Sequence, residues 1–178
     1  LAQARLTAAA ASVGRHHGAI YQLQVRYLCE DLDVLRARLR TLERDVERRL
    51  DDHEVGRLLT TIEGIGPQTS ARLVATFGDF SAYRSGAAFA SYVGAIPGLR
   101  QSGKRTSARA PLTRIGAADL RAKLWMPVLA AVRYNPWLRA YYRGLIARGK
   151  PHKVATMAAM RKLLHAVYSV ATHRRPFV

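Results

Sequence analysis

Between Leu99 and Gly116 the chain carries Arg100, Lys104, Arg105, Arg109 and Arg114 around the tetrapeptide Gln101-Ser102-Gly103-Lys104, without one acidic residue. A hydroxyl set among guanidinium and ammonium groups suits attack on a phosphodiester. The cations can neutralise phosphate oxygens and the charge that develops on them during displacement. The glycine after the serine lets backbone approach a ligand closely. The same residues also make an ordinary solvated basic loop that binds nucleic acid without chemistry, because Ser-Gly is common in turns. A serine is a weak nucleophile until a base takes its proton or the phosphate is made more electrophilic. No His or carboxylate lies close to Ser102 in sequence, so any activating base comes from elsewhere.

Metal-assisted phosphoryl transfer needs several carboxylates converging on the ion. From residue 57 onward the only acids are Glu63, Asp79 and Asp119, too few and too scattered for a two-metal nuclease site. The six histidines offer no substitute. His16 and His17 are adjacent, and His165 and His173 lie eight residues apart with no Cys or carboxylate cluster beside them. No metal ligand and no cofactor are assigned to this chain.

The charge is one-sided. Residues 1–56 hold nine Arg and nine acids, so the whole excess of +17 belongs to residues 57–178. A field of that sign favours a polyanion, and nucleic acid fits better than a membrane surface. No apolar run is long enough to span a bilayer, and no signal-peptide pattern opens the sequence. The single Cys29 excludes a disulfide framework and fits a reducing compartment. Leu1 stands where an initiator Met is expected, which suggests a piece of a longer protein.

The serine segment must be held by helices, since nothing in the sequence reads as a strand. Tyr21, Val25, Leu28, Leu32, Leu35, Leu39, Leu42 and Val46 alternate by four and three residues with Arg, Asp and Glu between them. That narrow stripe is a coiled-coil seam, closed either by a second chain or by a helix of the same chain. It ends at Arg49, and Asp51-Asp52-His53-Glu54 reads as a polar hinge. Leu58, Leu59 and Ile62 then lead into Gly64-Ile65-Gly66-Pro67 and a second apolar helix. This is the pattern of a helix-hairpin-helix, whose backbone N–H groups can bind a phosphate, with Pro67 in the first helical turn. The alternative is a plain helical hairpin in which both glycines only cap.

Ser85 reads as the N-cap of a short helix closed by Gly94 and Pro97, with Phe89 and Tyr92 in the core. Helices over 116–133, 137–148 and beyond 151 follow. Their apolar faces are Leu120, Leu124, Val128, Leu129 and Val132 in the first, and Val154, Met157, Leu164 and Val167 in the last. Tyr134, Trp137, Tyr141 and Tyr142 are either core or a base-stacking stripe. The expected fold class is all-α. A long coiled-coil helix occupies 1–55, and a compact helical domain containing the hairpin and the serine loop occupies 56–178.

The succession Leu58-Leu59-Thr60-Thr61-Ile62-Glu63-Gly64-Ile65-Gly66-Pro67, Phe80-Ser81-Ala82-Tyr83-Arg84-Ser85 and Tyr92-Val93-Gly94-Ala95-Ile96-Pro97, leading to Gln101-Ser102-Gly103-Lys104, resembles the C-terminal transposase domain of the insertion-sequence one-ten family. Pro111-Leu112-Thr113-Arg114-Ile115-Gly116, Arg148-Gly149-Lys150 and Arg161-Lys162-Leu163-Leu164 agree with it. Ala117-Ala118 departs from it, because relatives often carry an Asn after the glycine.

The resemblance implies a bridge recombinase, in which an N-terminal RNase H-like domain with an acidic DEDD set precedes the coiled coil and this domain. It further implies a structured guide RNA, a dimeric or tetrameric protein, and strand exchange through a covalent serine–DNA intermediate. The serine so matched is Ser102, with Ser107 as the fallback. Candidate nucleic-acid contacts are Gly64, Gly66, Arg100, Lys104, Arg105, Arg109, Arg114, Arg121, Lys150, Lys153, Arg161 and Lys162. Mg²⁺ is expected only in the acidic N-terminal domain.

The expected partners are therefore DNA, a guide RNA and a second copy through the coil, with no membrane, in the prokaryotic cytoplasm at the nucleoid. Alone, the chain is expected to bind nucleic acid and to be inert in strand exchange. The competing readings are a non-catalytic helix-hairpin-helix adaptor and an RNA-binding protein of ribosome-like composition.

Overall fold

A computed structural model describes residues 2–12, 18–96, 101–102, 105–106 and 116–178, with backbone alone at 2, 101–102 and 105–106. The fold is all-α. It divides into two compact units, Leu1–Val46 and Glu47–Val178.

The first unit holds α1 (Ala2–Ala10) and most of α2 (Ala19–Asp51). Arg5 Nη1 reaches Asp33 Oδ1 at 3.2 Å within it. The seam residues Tyr21, Leu28, Leu32, Leu35, Leu39 and Leu42 are exposed along α2. An apolar stripe of that length on one helix is a surface that association would cover.

In the second unit α3 (Glu54–Thr60) and α4 (Pro67–Phe77) form a helical hairpin. His53 is the N-cap of α3, its Nδ1 accepting from the Gly56 N–H at 3.1 Å. Pro67 takes the first turn of α4, where its missing N–H costs nothing. Ile62 and Ile65 are buried in the turn, and the buried Ser70 hydroxyl donates to the Gly56 carbonyl at 2.7 Å, stitching the two helices. A 3₁₀ turn, Phe80–Ala82, leads to α5 (Gly86–Val93). As the sequence implies, Ser85 caps α5 by accepting from the Ala88 N–H at 3.1 Å, and Gly94 closes it in the left-handed conformation.

Two strands of two residues each, β1 (Gln101–Ser102) and β2 (Arg105–Thr106), precede α6 (Ala118–Tyr134), α7 (Pro136–Ala147) and α8 (His152–His173). The sequence offers no sign of the strands, because a pair this short shows no alternation of apolar and polar residues.

Helix α8 is the hub, packing against α3, α5, α6 and α7. Ala155, Ala159, Met160, Leu163, Leu164, Val167 and Val170 are buried along it. Its buried surface is wider than one stripe, so the predicted face is corrected at Val154, which is 52% exposed. Phe77, Phe80, Tyr83 and Phe89 cluster beside it, with ring centroids 4.6 Å apart for Phe77 and Phe89. The Tyr168 hydroxyl donates to the Tyr83 carbonyl at 2.8 Å and ties α8 to this cluster. Phe89 is buried as expected, but Tyr92 is 56% exposed, with only its edge against Phe77 and Tyr83. Leu129, placed on the α6 core face by its spacing, is likewise exposed.

Ala117 is the N-cap residue of α6 and supplies no side-chain cap bond. Placing an acceptor there satisfies an orphan N–H of the first turn. Ala117→Asn is therefore expected to stabilise the chain by about 1 kcal/mol, read as a higher midpoint in urea; an unchanged or lower midpoint contradicts this account of the cap.

Candidate nucleophile loop and nucleic-acid interface

The end of α5 and the start of α6, on either side of the serine segment, are joined. The Ala117 N–H donates to the Tyr92 carbonyl at 3.3 Å. The Arg121 guanidinium donates to the Val93 carbonyl at 3.0 Å across 28 residues. Gly116 sits at φ +101°, and a Cβ there would come within 2.7 Å of Gly94 N and 2.8 Å of the Tyr92 carbonyl oxygen. The obstructing atoms are backbone, which cannot swing aside, so only glycine allows this approach. Arg121, a candidate nucleic-acid contact in the sequence, thus also clasps the foot of the loop.

Between these ends β1 and β2 pair antiparallel, with Gln101 opposite Thr106 and Ser102 opposite Arg105. The pairing fixes the register of the serine and arginine backbones. Arg100, Lys104, Arg109, Arg114 and the alternative nucleophile Ser107 lie outside the described residues, as do the side chains of Ser102 and Arg105.

The two hairpin glycines separate in role. Gly64, at φ +102°, lies against the α6 backbone, where an added Cβ would come within 2.5 Å of Ala131 Cα. It is a packing glycine. Gly66 is the N-cap of α4 with no side-chain cap bond and open space around it, which leaves the helix start approachable. Lys150 and Lys153 are exposed in the α7–α8 turn and the first turn of α8.

Arg161 and Lys162 come together with the aromatics of α7. Lys162 Nζ stands 4.5 Å from the Trp137 ring centre and 4.3 Å from that of Tyr141. Such contacts are worth about 0.5–1 kcal/mol where water reaches them. Tyr134 is 60% and Trp137 39% exposed, and neither is core. Arg161, Lys162 and Trp137 line an open groove of about 760 Å³ between α7, α8 and residues 175–178. His165 also borders it; burial, and then the neighbouring Arg161, lower its pKa and favour the neutral ring. The far wall is held by the Phe177 N–H, which donates to Thr61 Oγ1 at 2.8 Å, and by its ring, 5.5 Å from Trp137. Arg174, at φ 50°, turns the chain back and pairs with Glu54.

Sequence reasoning missed the Gly94–Gly116 contact and the returning 174–178 segment. Both depend on residues far apart in the chain. A glycine immediately before a helix and two aromatics forty residues apart were the available signals.

The geometry therefore places the antiparallel pair that contains Ser102 between two helix ends, those of α5 and α6, that are bonded to each other. Residues 56–143 match the family model described as the transposase IS116/IS110/IS902 family. This chain belongs to that transposase family. The match runs from α3 into α7 and takes in the whole serine segment.

The chain is 36% identical over 121 residues to the pilin gene-inverting protein of Moraxella lacunata, covering 67% of this chain and 38% of that protein. It is 29% identical over 144 residues to the insertion element IS110 uncharacterized 43.6 kDa protein of Streptomyces coelicolor, covering 80% and 35%. A probable family 20 transposase of Pseudomonas aeruginosa is 30% identical over 163 residues, covering 85% and 46%. The chain thus spans less than half the length of these transposase-family relatives. Among the described residues no helix is long and apolar enough to cross a membrane.

Proposed function

We propose that this chain is the C-terminal part of a DNA transposase that binds DNA and a structured guide RNA and supplies Ser102 as the nucleophile of strand cleavage. The observation that carries the reading is the pairing of Gln101–Ser102 with Arg105–Thr106 in a segment whose flanks are bonded together at Tyr92, Val93 and Arg121, inside the family match. A nucleophile that forms a covalent intermediate needs a fixed approach, and a loop clasped at its foot on a packed core provides a rigid base.

In the proposed step the Ser102 oxygen bonds to the scissile phosphorus while the bond from phosphorus to the leaving strand breaks. The serine proton passes to a base, and the leaving oxygen takes up a proton. Arg100, Lys104 and Arg105 neutralise the phosphate. The family resemblance implies carboxylate-bound Mg²⁺ in an acidic N-terminal domain, and no residue of this chain is assigned to it. Among the described residues no group of three His, Cys, Asp or Glu is placed to hold a metal ion, and no step is derived through one. The base is accordingly assigned to an acidic domain outside this chain, on the same or a partner subunit. The isolated chain is expected to bind nucleic acid without cutting it. The proposed setting is the prokaryotic cytoplasm at the nucleoid.

The test is a denaturing gel of the full-length protein with guide RNA and cognate DNA, scored for a protein–DNA adduct with Ser102 intact or changed to Ala. Loss of the adduct in Ser102→Ala supports the reading. An adduct indifferent to Ser102 leaves a nucleic-acid-binding adaptor, a role that the α3–α4 hairpin with its open Gly66 would serve.

The exposed seam of α2 supports a homodimer through a coiled coil, which other copies could extend to a higher oligomer. Sedimentation at tens of micromolar is expected to give twice the 19.7 kDa chain mass, and Leu35→Lys with Leu42→Lys is expected to give the single-chain mass. A wild-type monomer at every concentration contradicts this.

A further inference from the structure

We infer that the groove between α7, α8 and residues 175–178 is a binding site for an unpaired DNA base, stacked on Trp137 and Tyr141 with its flanking phosphates on Arg161 and Arg175. Its volume of about 760 Å³ falls in the range of pockets that enclose small ligands, about 300–1,000 Å³. Ala158, Ala166 and Val170 give it an apolar floor, so a planar heterocycle entering it sheds water against carbon.

Two aromatic side chains one helical turn apart on α7 stand at one wall. A nucleic acid base stacks on such a surface whatever its sequence. The cations are already in place. Arg161 and Lys162 come from α8 and Arg175 from the returning segment, and none of the described residues that line the groove is acidic. That charge selects an anion, and the rings select an aromatic one. A nucleotide is both.

Lys162 shields the two rings. Its ammonium rests 4.5 and 4.3 Å from the Trp137 and Tyr141 ring centres, over the surfaces that a base would use. A phosphate draws the ammonium away, and the base takes the rings. Duplex DNA cannot make this exchange, because its bases are stacked on each other. The inference rests on the transposase reading in one respect: strand exchange is the source of unpaired DNA.

Trp125 and Trp137 are the two tryptophans, so Trp125→Phe makes Trp137 the sole strong fluorophore. Titrating that chain with an eight-nucleotide oligo-dT is expected to quench its emission saturably. A duplex carrying the same number of phosphates, at the same salt, is expected to leave it largely unquenched. With a labelled oligo-dT, Trp137→Ala and Tyr141→Ala should each weaken binding about ten-fold, while duplex affinity stays within about two-fold.

Trp137→Phe keeps a ring and should retain most of the affinity, which separates loss of stacking from loss of fold. Lys162→Gln should lower the salt slope of binding by about one ion. No quench, a quench equal to that with duplex, or tighter binding of oligo-rU than of oligo-dT overturns the inference. The Ser102 adduct does not report on this groove, so either proposal can fail alone.

Discussion

Ser102→Ala in the full-length transposase is expected to abolish the covalent protein–DNA adduct while leaving DNA affinity within about two-fold of wild type. Removing a nucleophile from a covalent mechanism costs roughly 10⁴–10⁶ in rate, because the remaining residues cannot open the same route. Affinity has a different origin. It comes from cations against phosphates, and the substitution removes no charge. The two readouts should therefore separate cleanly, with gel adduct falling below detection and filter binding at fixed salt unmoved. An equal fall in both would mean that Ser102 serves the shape of the loop. Ser107→Ala is the companion variant and is expected to keep the adduct.

The second large effect is expected at the foot of the loop. Gly116→Ala puts a Cβ within 2.7 Å of Gly94 N on a backbone at φ +101°. Neither the collision nor the torsion can relax by moving a side chain. The expected cost is about 2–4 kcal/mol, summing torsional strain and overpacking, measured as a shift of the urea midpoint. If the chain yields instead by separating Gly116 from Gly94, stability recovers in part and the adduct is lost, because the Tyr92–Ala117 and Val93–Arg121 bonds open with it. Gly144→Ala is the control. That glycine lies inside α7 with open space around it, so alanine is expected to be neutral or stabilising by up to about 1 kcal/mol. A Gly116→Ala chain as stable and as active as wild type would contradict the clasp.

Local chemistry is what the sequence makes plain. Pro67 at the start of α4, Ser85 as the cap of α5 and Asn135-Pro136 at the α6–α7 break each determine their own neighbourhood, and each stands where its residue type dictates. The Asn135 side chain accepts from the Leu138 N–H at 3.2 Å, as an N-cap should. Periodicity fares less well where a helix is covered on more than one side. Val154 on α8 and Tyr92 on α5 sit at intervals that match a core stripe, yet both are more than half exposed, because only assembly determines which positions the neighbouring helices cover.

Tyr134 and Trp137 illustrate the same limit from the aromatic side. Their spacing suits a core or a stacking surface, and their exposure excludes the core. Contacts at a distance leave no local trace. Gly64 is defined by Ala131, Gly116 by Gly94, and Phe177 by Trp137 and Thr61. The proposed nucleophile was read from composition, a serine among cations without acids. Its clasp became visible only with the fold.

The central claim is that Ser102 carries the DNA strand. The most direct measurement is to trap the adduct, digest the DNA with nuclease and the protein with protease, and sequence the modified peptide by mass spectrometry. A nucleotide phosphate attached to Ser102 is the predicted result; attachment at Ser107, or at a residue outside this chain, would contradict it.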